Sequence, residues 1–197
     1  MTKKRLIYFG GLGLILFGAL FLVVNGYKYF KGYTAVHPIS EETKSDDAKT
    51  ENNSAVLYPR QPKVGENIGE LVIPKLNAVL PIYHGTNEEE LDKGVGHYTG
   101  SVLPGEKDNS VLSGHRDTVF RRLGEVGKGD LLIAKTAAGE FRYKVRKVRI
   151  VDADDRTVIV PKPKATLTVS TCYPFNFVGS APQRYVLVAD LIESKKQ

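Results

Sequence analysis

The sequence predicts an all-β chain, a closed barrel of eight short strands with one or two short helices, preceded by a transmembrane helix and a polar stalk. Three observations carry this. From Ile68 onward, short apolar runs are separated by glycine, proline and asparagine, the punctuation of β structure. The stretch "EFRYKVRKVRIVD" at 140–152 alternates apolar and polar side chains with the period of two that a half-buried strand requires. Leu6 to Val24, "LIYFGGLGLILFGALFLVV", is 19 residues without a charge. At about 1.5 Å per helical residue it nearly crosses a hydrocarbon core of roughly 30 Å.

Residues 1–30 are therefore the expected membrane anchor, with the span at 6–24. Lys3, Lys4 and Arg5 precede the span, so the positive-inside tendency keeps the N-terminus cytoplasmic and the remainder outside, while Lys28 and Lys31 pull the other way. A cleaved leader would share the basic start. The exit favours an anchor, because Tyr27, Tyr29 and Phe30 among lysines are interfacial chemistry and not a small-residue cleavage site. Residues 31–66 are the expected stalk: they are polar and poor in large aliphatics, and cannot bury enough apolar area to offset their ordering entropy. The tail of that segment offers Val56, Leu57 and Tyr58 as groups able to lie against the folded domain.

Residues 67–197 are the expected folded domain. Strands are predicted at 68–74, 78–85, near 96–100, at 109–115, 130–136, 140–152, 165–172 and 184–191. Eight strands of this length favour closure, which removes the exposed edges of an open sheet. "TNEEELDKG" predicts a short helix, with Thr86 or Asn87 as N-cap, acidic residues in the first turn and Gly94 as the stop. "DTVFRRLGE" predicts a second, capped by Asp117 or Thr118 and ended by Gly124. Residues 153–165, stiffened by Pro161 and Pro163, read as a loop.

With 197 residues there is room for one domain with a proper core. The net charge is +6, and residues 68–197 hold nineteen basic against sixteen acidic residues. Such a mixed surface has no basic stripe, which excludes nucleic acid as the expected partner. No metal-ligand cluster and no cofactor motif is present in the sequence, so neither is expected.

Cys172 is the only cysteine, so it has no intramolecular disulfide partner. It is a small buried hydrophobe, an intermolecular link or a working thiol. A nucleophilic thiol needs a base or a cation near it. Of the four histidines, His115 ends the apolar run "SVLSGH" much as Cys172 ends "TLTVSTC", so two strand ends can face each other at a barrel rim. His97 is expected to be supportive or structural. Arg184, at the start of "RYVLVADL", would meet Cys172 if the loop 173–183 joins neighbouring strands. Its fixed charge and fork of donors suit an oxyanion, and it cannot serve as a base. Asp117 is expected to cap the following helix.

"LSGHRDTVF" (112–120), "TLTVSTCYPF" (166–175) and "GSAPQRYVL" (179–187), behind an N-terminal anchor, resemble the sortases of Gram-positive bacteria, and most closely the class D group. The resemblance implies an eight-stranded sortase barrel and a cysteine transpeptidase with Cys172 as nucleophile, His115 as acid/base and Arg184 holding substrate and oxyanion. It implies a cell-membrane enzyme whose catalytic domain is extracellular. The implied partners are secreted proteins with a C-terminal LPxT-type sorting signal, LPxTG or LPxTA, and an amine on a peptidoglycan precursor such as lipid II. Loops 153–165 and 173–183 are the expected walls of the peptide groove. A hydrolytic cysteine peptidase and a non-catalytic tethered barrel remain as alternatives. An L,D-transpeptidase is disfavoured because its arginine usually lies very close to the cysteine.

Overall fold

The alternation along each strand decides which side chains enter the barrel and which face outward. The computed structural model describes residues 3–34, 36–38, 56–176, 179 and 181–196. It contains β1 (Asn67–Ile73), β2 (Ala78–His84), β3 (Val95–His97), β4 (Asn109–Ser113), β5 (Leu131–Thr136), β6 (Gly139–Asp152), β7 (Thr166–Tyr173) and β8 (Gln183–Lys196). They close into a barrel in the order β1-β2-β3-β4-β7-β8-β6-β5. The β2/β3 and β4/β7 seams are parallel, and the others antiparallel.

All eight expected strands form. β8 runs past its expected end at Leu191 because it pairs with β6 as far as Gly139↔Lys196. Alternate residues fill the interior: Leu71, Leu80, Phe141, Tyr143, Leu167 and Val169 are at most 1% exposed. A smaller apolar cluster, Val151, Val186 and Val188 with Val158 against it, lies on the other face of β6 and β8, where the loop 153–165 covers it.

The expected first helix is α2 (Glu88–Leu91), one turn long, where Asn87 and Glu90 form a reciprocal capping box. The expected second helix does not form. Residues 116–122 make tight turns, a 3-10 turn follows at Leu123–Glu125, and Gly124 sits inside that turn and does not end a helix. The His115 carbonyl accepts from the amides of Thr118 and Phe120, at 3.4 and 3.1 Å. That winding drives Val119, Phe120 and Leu123 into the core, which outweighs the local helical signal. Asp117 caps nothing there; its carboxylate lies 3.5 Å from Arg116 Nε.

At the N-terminus, α1 (Lys3–Thr34) is a continuous helix whose side chains from Leu12 to Val24, among them Leu14, Leu16 and Phe17, are exposed. Among the described residues no helix is both long and apolar enough to cross a membrane. The side chains of residues 6–10 of the expected span lie outside the described residues, as do residues 39–55 of the expected stalk.

Two pieces of the expected stalk are part of the barrel. Leu57 and Tyr58 pack on the core, and the Tyr58 hydroxyl donates to Pro104 O at 2.7 Å, while Val56 stays 82% exposed. His37 exchanges both backbone hydrogen bonds with Val79, at 3.0 and 2.7 Å, and Val36 packs against the core. This covers an edge: β3 pairs only with Ile82–His84, leaving the first half of β2 open on that side. Two net backbone hydrogen bonds at about 1 kcal/mol each, plus the burial of Val36, contribute about 2–3 kcal/mol. A chain beginning at Val56 is therefore expected to melt about 4–12 °C below one beginning at Val36. Calorimetry of the two truncations checks this, and equal midpoints would refute it.

Candidate active site

Strand register brings the nominated residues to one place on the barrel's outer face. Cys172 on β7 is the direct cross-strand partner of Arg184 on β8, and directly opposed residues project from the same face of a sheet. Their neighbours Thr171 and Tyr185 point the other way, at 3% and 8% exposure, and the Tyr185 hydroxyl donates to Val126 O at 2.8 Å. On the opposite flank of β7, the parallel β4/β7 ladder ends at Ser113↔Ser170, and the Gly114 amide carries the pairing one step further to Ser170 O at 3.3 Å. Two residues on from each member of that pair stand His115 and Cys172. Cys172 thus has Arg184 as its partner on β8, and the His115 segment continues beyond the end of β4 on its other flank.

Residues beyond the nominated three hold this arrangement. The Thr171 hydroxyl donates to Gly114 O at 2.7 Å, fastening the turn into His115 onto the strand that carries Cys172. Gly114 leaves no room for a side chain, since a Cβ there would meet the Phe120 ring at 2.7 Å. Thr171 and Gly114 were visible in "TC" and "GH", but their contact joins residues 57 apart.

His115 is about one-third exposed, and its Nε2 lies 3.9 Å from Glu88 Oε2 on α2. Glu88, Asp92 and His115 hold their potential ligand atoms within 4.8 Å of one another, the one such grouping among the described residues.

Arg184 is half-buried and donates from Nη1 to Ala181 O (3.2 Å) and Gln183 O (2.9 Å). Beside it is a cavity of about 200 Å³ lined by Val111, Ser113, Ser170, Val158 and Ile159 among others. From loop 153–165, Val158 and Ile159 line this cavity. The other expected wall, 173–183, lines no part of this cavity among its described residues; residues 177, 178 and 180 lie outside them. A larger cavity of about 390 Å³, lined by Tyr58, Arg60, Glu66, Leu103 and Ala137 among others, holds no nucleophile and lies away from Cys172.

His97 is structural. It is fully buried, stacks on His84 across the parallel seam at 5.1 Å between ring centroids, and the two Nδ1 atoms are 3.0 Å apart. Because Val102 O can only accept, His97 Nε2 carries the proton at 2.9 Å, leaving Nδ1 to accept from His84. Burial pushes the His97 pKa down from 6.5 to about 4 and lowers that of His84 as well. A folded-state pKa below the unfolded value means the unfolded chain takes up the proton first. Stability is then fully present above about pH 6.5 and is lost as pH falls toward 4, by up to about 1.4 kcal/mol per unit for one such histidine. A melting temperature that declines below pH 6.5 in the parent, and less steeply in His97→Asn, is the expected result; identical pH slopes would refute it.

A sortase domain family model matches residues 71–192. The chain is 41% identical over 187 residues to Sortase D of Bacillus subtilis (strain 168), covering 85% of this chain and 94% of that protein. The solved catalytic domain of B. anthracis SrtD is 39% identical with a TM-score of 0.61, covering 74% of this chain and 100% of that one. A Clostridium perfringens Sortase D5 transpeptidase is 26% identical with a TM-score of 0.62, covering 68% and 83%.

Proposed function

Because this chain belongs to the sortase family of cysteine transpeptidases, with most similarity to class D, we propose that it cleaves an LPxTG- or LPxTA-like sorting signal of a secreted protein after Thr. The acyl group then passes to an amine of a peptidoglycan precursor. The observation that carries this reading is the register that sets Cys172 opposite Arg184, with His115 two residues past the end of the neighbouring strand β4.

The Cys172 thiolate attacks the Thr carbonyl carbon, and the carbonyl oxygen takes up the negative charge as a tetrahedral oxyanion. The Arg184 guanidinium meets that charge, a permanent cation placed where charge develops. Collapse of the intermediate breaks the C–N bond, and imidazolium His115 gives its proton to the departing amine. The thioester is then attacked by the acceptor amine, whose proton goes to neutral His115, and the thiolate leaves with the new amide formed. Glu88 Oε2 lies 3.9 Å from His115 Nε2 at the edge of the site. The cavity beside Arg184 offers apolar surface from Val111 and Val158 to the peptide.

On the same reading α1 anchors the enzyme by a single pass over 6–24, with the N-terminus cytoplasmic and the barrel outside the cell. The chain passes from the end of α1 at Thr34 to Val36 on the barrel in two residues, at most about 7 Å. Anchor and barrel are therefore held close.

The test is incubation of the full chain in detergent micelles with Leu-Pro-x-Thr-Gly and Leu-Pro-x-Thr-Ala peptides and a free amine, followed by mass spectrometry. An amide product that grows with amine concentration supports the transpeptidase. Free acid alone would make the enzyme a hydrolase, and no product with any peptide would overturn the reading.

A further inference from the structure

Arg116 follows His115 in sequence, yet its side chain is 5% exposed. Its guanidinium donates from Nη1 to Pro174 O at 2.9 Å and from Nη2 to Gly179 O at 2.7 Å, across 58 and 63 residues of chain. Nε lies 3.5 Å from Asp117 Oδ1, whose side chain is exposed. A cation that cannot lose its proton is thus removed from water and aimed at two backbone carbonyls.

Those carbonyls have a particular address. Pro174 is two residues past Cys172, Gly179 is five before Arg184, and both belong to the one loop that joins them. The loop has other anchors: Phe175 packs edge-on to Tyr185 and sits where a Cβ on Gly124 would have to go, and Pro182 O accepts from Ala153 N at 3.0 Å. Arg116 ties the loop by its side chain directly to the segment that carries His115. The rigid fork suits this, since two acceptors at fixed separation are met by one planar group, whereas an ammonium is a single point.

We propose that Arg116 is a positioning residue: it clamps the β7–β8 loop to the His115 segment and so sets the relative geometry of His115, Cys172 and Arg184. This rests on the reading of those three residues as the site. It assigns no contact with substrate to Arg116. The prediction it makes differs from that of a merely structural arginine, whose loss lowers the melting temperature but leaves the turnover of folded enzyme alone.

The test uses the full chain in micelles with Arg116→Ala, Arg116→Lys and Arg116→Gln. The expected result is a fall in kcat of about 10²-fold in the Ala and Lys variants, as a displacement near 1 Å produces, with KM within about threefold of the parent. Hydrogen exchange at the amides of Phe175, Asn176, Gly179, Ala181 and Gln183 should speed up. Ethylguanidinium should restore part of kcat to the Ala variant and none to the Lys variant. Should the Ala variant fail to fold, the Gln variant, which keeps one amide donor, carries the same comparison. Parent-like kcat in a folded variant would overturn the clamp, as would lost activity with unchanged loop exchange and no rescue. A parent enzyme with no Cys172-dependent product defeats the site reading separately; unchanged loop exchange would then still refute the clamp.

Discussion

Cys172→Ala is expected to abolish amide formation, a loss of about 10⁴-fold or more, while leaving the barrel folded. The thiol is half-exposed on the outer face of β7, so truncation to Ala opens no cavity in the core. No other cysteine exists to replace it. Because the proposed acyl transfer passes through a thioester at this atom, removing Sγ removes the intermediate itself, and the remaining residues can only bind the peptide. A mass-spectrometric assay of peptide, amine and enzyme reads the loss, and the melting temperature reads the fold. Residual activity above a hundredth of the parent's in the folded variant would mean that Cys172 is not the nucleophile.

Arg184 is expected to cost about 10²–10³-fold in kcat on replacement by Ala, the usual consequence of losing one donor aimed at a developing oxyanion. Arg184→Lys separates charge from geometry. The ammonium keeps the positive charge but cannot both hold Ala181 O and Gln183 O and present a planar fork to the substrate. The Lys variant is therefore expected to lie within about tenfold of the Ala variant in kcat, with the larger share of the loss in kcat and not KM. Steady-state kinetics of the two variants decides it. A Lys variant with full turnover would show that charge alone suffices, and a pure KM effect would make Arg184 a binding residue only.

These expectations rest on features of different origin. The eight strands could be read locally, because alternation in "EFRYKVRKVRIVD" and apolar runs such as "ATLTVSTC" state their own period and their own ends. The helix start was legible for the same reason, down to Thr86 or Asn87, and the structure makes Asn87 the cap. The segment after His115 was not. "DTVFRRLGE" has helical composition, but burial of Val119, Phe120 and Leu123 against other strands and the filling of Gly124's free face by Phe175 dictate turns.

Residue types and strand ends nominated His115, Cys172 and Arg184 from the sequence alone, and the motifs around them carried the family resemblance. That Cys172 and Arg184 stand directly opposed is a matter of register between β7 and β8, and the level of His115 follows from a parallel seam joining β4 to β7 across more than fifty residues. The roles of Thr171 and Arg116, the stacking of His84 on His97 and the return of His37 onto Val79 are of the same kind. Local sequence determined the elements and the reactive groups, since propensity and period act over a few residues. Only the tertiary structure decided how they meet, because each such contact depends on closing the barrel around a core assembled from the whole domain.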